Sequence, residues 1–211
     1  MKIAVLADGR MRKELQAKIN GAEIELIWVD ALNDLFQPGE IDAYFDLDFE
    51  MKKDRIEMLA RLLPKPVFIN SVVHTLDGID QPFVRINAWP TFLKREIAEL
   101  AIQAGPSADA AKTFLDAVHW QYQIVPDKPG MVSARIIAMI INEAYYTAQN
   151  EVSSKEDIDI AMKLGTNYPY GPFEWGKIIG LKNILELLKA LRETDDRYTI
   201  SAMLEKEARE L

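Results

Sequence analysis

The sequence has no cysteine, so neither a disulfide framework nor a thiol nucleophile is available. Histidine is almost missing as well: His74 and His119 are too few and too far apart for a zinc site, and no metal centre is expected. Basic residues are outnumbered, 25 Lys and Arg against 33 Asp and Glu, and a formal charge of -8 argues against nucleic acid as a partner. No apolar run approaches the roughly 18 residues of a membrane span, so no membrane insertion is expected. The opening MKIAVLAD enters an apolar pattern at once, without a secretory leader, and predicts a cytoplasmic protein.

What is present is the composition of a folded globular chain, 49% hydrophobic and 27% charged, with 211 residues available to bury a core. Residues 2–8, 23–30, 41–47 and 66–70 are short apolar runs bounded by polar or turn residues, which suits buried parallel strands. RMRKELQAKI and EMKKDRIEMLARLL between them carry apolar residues at helical spacing, giving the strand-helix-strand rhythm of a doubly wound α/β domain. After Pro90 the pattern predicts helices over FLKREIAELAIQA and ADAAKTFLDAVHW, one further strand over YQIV, and helix almost throughout from Met131. PDKPG, with two prolines and a glycine, stops that strand and marks the joint between an α/β domain at 1–126 and a helical domain at 127–211. MVSARIIAMIINEAYYTAQNE is apolar almost all round, as expected at a domain centre or a subunit interface. VSSKEDIDIAMKLG supplies a Ser154 cap and ends at Gly165, where GTNYPYGPFEW packs four aromatics into one turn.

The run from DKPGMVSARIIAMIINEAYYTAQNEVSSKEDIDIAMKLG through TNYPYGPFEWGKIIGLKNILELLKAL resembles the C-terminal domain of the 3-hydroxyacyl-CoA dehydrogenase family without a gap. Asp127, Pro129, Gly130, Arg135, Asn142, the EDID segment at 156–159 and the GPFE segment at 171–174 carry the likeness. The resemblance implies an α/β Rossmann-like N-terminal domain followed by an all-α C-terminal domain, with homodimer contacts through the latter. It also implies NAD as cofactor and an acyl-CoA-like small molecule as ligand. The aromatic turn is expected to link two helices as packing rather than chemistry.

The N-terminal half resembles the family's NAD domain more faintly. A G-x-G-x-x-G fingerprint falls on Ala7, Gly9 and Arg12, so only the middle glycine stands. Arg12 puts a charged side chain where a helix packs on a strand: either the site is lost, or Arg12 and Arg10 pair with an anion. Asp30, closing the second strand, takes the place of the acidic residue that holds the ribose hydroxyls, which makes Gly9 and Asp30 the cofactor-binding candidates. Asn70 and its neighbour Ser71 correspond to a substrate-binding segment, and the stretch between Asp30 and Asn70 is several tens of residues shorter than in the family. The missing piece corresponds to a helical hairpin of the CoA site.

By the same resemblance, a histidine acts as general base and a glutamate twelve residues later holds it. Here Asn87 and Glu99 keep that spacing; a shifted register places Ile86 there, and Glu96 is a rival for the glutamate. The family's serine falls on Val72, and the asparagine preceding Arg135 becomes Ala134. His74 is the replacement base to consider, and His119 a weaker one. Two readings follow: a shortened, catalytically impaired NAD-dependent dehydrogenase, or a non-catalytic ligand-binding or assembly protein that keeps the fold and the dimer surface.

Overall fold

The computed structural model describes residues 1–19, 21, 23–37 and 39–211, which divide into compact units Met1–Met131 and Val132–Leu211. Among the described residues, no helix is long and apolar enough to cross a membrane.

The first unit is built on a seven-stranded sheet: β1 (Lys2–Leu6), β2 (Glu25–Val29), β3 (Ala43–Asp46), β4 (Val67–Ile69), β5 (Val84–Ile86), β6 (Ala98–Ile102) and β7 (Tyr122–Ile124). Their order is β2-β1-β3-β4-β5-β6-β7; the first five run parallel, and β6 and β7 are parallel to each other but antiparallel to β5. The strand alternation sorts side chains to two faces. Ile3 and Val5 of β1, Phe45 of β3 and Phe68 of β4 pack with Met11 and Leu15 of α1 (Gly9–Lys18) and with Phe114 and Leu115 of α4 (Pro106–Ala117). Phe45 stacks on Phe68 at 4.4 Å between ring centroids. Ala4, Leu6, Val67 and Ile69 face the other way, against Leu59 of α2 (Lys53–Ala60) and Leu76 and Ile79 of α3 (Leu76–Ile79). Covered on both faces, the sheet is that of a Rossmann-like α/β layer structure.

Two strands depart from the sequence expectation: β5 lies in a stretch not expected as a strand, and β6 in one expected as a helix. FLKREIAELAIQA, expected as a helix, is a short 3₁₀ turn at Phe92–Lys94 followed by strand β6. Its Ala, Glu and Leu residues favour helix locally. Strands on both sides, β5 and β7, bury Ala98–Leu100 and override that preference.

In the second unit, α5 (Ser133–Gln149), α6 (Lys155–Thr166), α7 (Pro172–Ile179), α8 (Leu181–Arg192) and α9 (Ala202–Glu210) pack together. Gly180, at φ 95°, separates α7 from α8 within IIGLKNILELLKALRE. GTNYPYGPFEW is the α6–α7 corner. Asn167 ends α6 in the left-handed region at φ 56°, and Pro172 opens α7 with its fixed φ and no N–H to satisfy. The Glu174 carboxylate accepts from the Gly171 N–H at 3.0 Å, while Asp159 of α6 accepts from Phe173 N at 2.7 Å and Glu174 N at 3.1 Å. Trp175 packs on Tyr168 and Tyr170, with ring centroids at 6.2 and 5.9 Å. The rigid aromatic turn thus carries one helix into the next. A Cβ on Gly171 would lie 2.3 Å from Asp159 Cγ, so Gly171→Ala must displace the capping carboxylate. The expected cost is about 2 kcal/mol or more, read by chemical denaturation.

Candidate functional site

The strand order reverses between β1 and β3, and their carboxyl ends define the crevice where open α/β sheets hold ligands. Here that edge is engaged by the protein's own side chains. Asp8 caps α1, its Oδ1 accepting from Arg10 N at 2.9 Å and Met11 N at 2.7 Å. Gly9 is the first residue of α1, is exposed, and has no atom within 4 Å of where a Cβ would stand. Arg12 folds back over the ends of β1 and β2: Nε donates to the Ala7 carbonyl at 2.8 Å, and Nη2 to the Val29 carbonyl at 2.8 Å and to Asp30 at 2.5 Å. Its guanidinium also lies 5.6 Å from the centre of the Trp28 ring. Arg12 thus pairs with a carboxylate of the chain itself, Asp30. Nearby, the Asp48 carboxyl is pushed up by burial first and by the charge of Asp8 second, so the edge is acidic where a pyrophosphate would lie.

Asn70 and Ser71 follow β4 and serve the backbone. Asn70 donates to the Leu47 carbonyl at 3.1 Å and accepts from Ala88 N at 3.2 Å, which ties the end of β3 to the residues after β5. Ser71 is buried and donates to the His74 carbonyl at 2.9 Å. The segment is fixed from below by Arg85, fully buried in β5, which donates to the Ser71 and Val72 carbonyls at 2.8 and 3.0 Å and pairs with Asp127. Asp127 also accepts from Leu76 N at 2.8 Å, so one carboxylate of the PDKPG joint locks the whole loop after β4. Burial pulls the Arg85 guanidinium below its usual range, opposed by Asp127.

Asn87 and Glu99 come together. Antiparallel pairing of β5 with β6 places them opposite each other; Asn87 N donates to the Glu99 carbonyl at 3.1 Å, and Asn87 Nδ2 to Glu99 Oε2 at 3.2 Å. Both are buried, and Arg95 approaches the outer Glu99 oxygen at 3.5 Å. The rivals lie otherwise: Ile86 is fully buried within the sheet and Glu96 is exposed, its carbonyl accepting from Lys18. His74 and His119 are exposed, Val72 and Ala134 are buried, and Arg135 lies over the Tyr198 ring at 5.8 Å.

One buried acid escapes a reading of the sequence. Glu14 sits on α1 between Met11 and Leu15, on the face turned to the core, and only 4% of it is exposed. Both its oxygens lie 3.0 Å from Thr91 N. Burial pushes the carboxyl up, opposed by the Thr91 amide, Lys94 and Arg10. Thr91 is held at φ 82°, a strained setting for a β-branched residue. The signal available beforehand was a charged residue among the apolar positions of a helix.

Known proteins place this architecture. The family model for the C-terminal domain of 3-hydroxyacyl-CoA dehydrogenase matches residues 130–210. The chain is 37% identical over 221 aligned positions to 3-hydroxybutyryl-CoA dehydrogenase of Bradyrhizobium diazoefficiens, covering 94% of this chain and 74% of that protein. It is 31% identical to 3-hydroxyadipyl-CoA dehydrogenase of Escherichia coli over 87% of its own length and 37% of the relative's. The crystal structure of (S)-3-hydroxybutyryl-CoA dehydrogenase from Ralstonia eutropha has the same fold, with a TM-score of 0.73 at 17% identity over 99% of this chain and 93% of that one. The chain belongs to the 3-hydroxyacyl-CoA dehydrogenase family. It spans just over a third of the Escherichia coli relative and about three quarters of the Bradyrhizobium one.

Proposed function

We propose that the chain is a catalytically impaired 3-hydroxyacyl-CoA dehydrogenase-like protein. The reaction in question is oxidation of a 3-hydroxyacyl-CoA to the 3-ketoacyl-CoA, with NAD taking the hydride. The observation that carries the reading is the Asn87–Glu99 contact of 3.2 Å, in the place that the family likeness gives to a base and its holder. Glu99 could orient and stabilise a cationic partner, but the amide of Asn87 takes up no proton near neutral pH. Nor do the residues at the edge of β1 and β2 suit a dinucleotide. Asp30 is engaged by Arg12 and cannot serve a ribose without breaking that pair, and Asp8 already uses the first free amides of α1. The test is the rate of NAD reduction with 3-hydroxybutyryl-CoA. Background is expected, and a robust rate that vanishes in His74→Ala would overturn the proposal.

A second reading is a non-catalytic ligand-binding or assembly protein that keeps the fold and the dimer surface, and apolar side chains left in water on the second unit supply such a surface. Ile136 on α5 is 54% exposed, and Ile160 and Leu164, four residues apart on α6, are 51% and 82% exposed. A second copy of the chain is the occupant this reading gives them. Light scattering should report a particle of twice 24.0 kDa, and a monomer at every concentration would count against it.

A further inference from the structure

The two flanks of α1 differ. Arg12 closes the flank toward β2 onto Asp30; the other flank, facing the 3₁₀ turn at Phe92–Lys94, is an open cleft of about 600 Å³ lined by Gly9, Arg10, Lys13, Glu14, Ala17 and Lys94. Three of these six side chains are cationic, in a chain whose formal charge is -8. Lys13 and Lys94 are exposed and take part in no ion pair among the described residues. The cleft's one carboxylate, Glu14, directs both oxygens to the Thr91 amide, and Asp8 at the rim turns to the amides of Arg10 and Met11. Both acids are thus held by backbone amides, with Lys94 and Arg10 near enough to Glu14 to draw its carboxyl down, and Lys13 and Lys94 stay exposed. Glu14 also anchors the residue that opens the turn carrying Lys94.

We infer that this cleft binds the phosphate group of a small phosphorylated molecule, independently of the dehydrogenase reading and of the crevice that Arg12 closes. Lysine ammonium groups are mobile point charges that suit phosphate, and charges of one sign lining a concave wall focus the field on a ligand. The volume lies within the usual range for small-ligand sites and exceeds what a bare phosphate fills, so a larger phosphorylated body has room.

The test is calorimetric titration of the full chain with inorganic phosphate, pyrophosphate and ADP, with acetate as the control anion. Pyrophosphate is expected to bind at one equivalent, and acetate not to bind. Lys13→Glu and Lys94→Glu should each weaken binding about tenfold or more, as loss of a charge-assisted contact predicts. Lys53→Glu changes net charge equally at a side chain 90% exposed on α2 and should leave affinity unchanged. ADP tighter than pyrophosphate would assign the group to a nucleotide, and equal affinities to the phosphate alone; both support the site. No binding of any phosphate probe overturns the inference. So does binding that survives in both cleft variants, or that falls equally in Lys53→Glu. Since the readout is binding rather than turnover, an inactive enzyme leaves the outcome unaffected.

Discussion

Asn87→His is expected to leave the rate with 3-hydroxybutyryl-CoA and NAD at background, although the new imidazole should titrate above the usual histidine value near 6.5. The upward shift follows from position. A ring at residue 87 would stand beside Glu99, whose Oε2 is 3.2 Å from the present amide nitrogen, and a buried carboxylate at that distance favours the protonated ring. Arg95, 3.5 Å from the other Glu99 oxygen, and the burial of the ring each offset part of the shift. A positioned general base contributes roughly 10²–10⁴-fold to a rate, and then only if the reacting oxygen is held in reach. The side chains at the two positions that the family likeness assigns to that task, Val72 and Ala134, carry no polar atom. Titration by NMR and the NAD-reduction assay read the two halves separately. An imidazole titrating at or below the ordinary value would mean that burial of the ring outweighs the Glu99 carboxylate, while a large gain in rate would show that the base was the only missing part.

Much of this geometry was open to a reader of the sequence, and the remainder was hidden for identifiable reasons. The Asn87–Glu99 pair was legible only through the family likeness, which sets base and holder twelve residues apart; the antiparallel pairing of β5 with β6 that brings them opposite each other was not. The strand that leads into Asn87 was not visible: VRI is short, and its central Arg85 breaks the apolar run that marks a buried strand. Only the folded chain shows that Asp127, 42 residues away, satisfies that arginine. β6 was misread because its residues are good helix formers, and only its neighbours make it a strand. The replacement of a fingerprint glycine by Arg12 was plain, yet the partner it chooses was not. Parallel pairing of β1 with β2 sets Leu6 against Val29, which brings the start of α1 next to Asp30.

Restoring both glycines, Ala7→Gly with Arg12→Gly, is the sharpest test of whether the nucleotide crevice is closed by one residue or by several. NADH fluorescence is expected to stay unchanged on titration into the double variant, as into the natural protein. Removing Arg12 frees Asp30 and the carbonyls of Ala7 and Val29, but Asp8 still occupies the amides of Arg10 and Met11. A pyrophosphate would have to displace that carboxylate and accept Asp48 as a neighbour, and the Asp48 carboxyl is already pushed up by burial and by Asp8. Two carboxylates against a dianion in a partly desolvated crevice outweigh what a helix amino terminus supplies, roughly 0.3–2 kcal/mol. The variant should itself be less stable by about 2 kcal/mol, from glycine within α1 and the loss of hydrogen bonds to β1 and β2. Thermal unfolding would confirm that it still folds at the temperature of the titration. Tight NADH binding by the folded variant, or a crystal showing the dinucleotide spanning Gly9 and Asp30, would establish that Arg12 alone holds the crevice shut and that the cofactor site of the family survives beneath it.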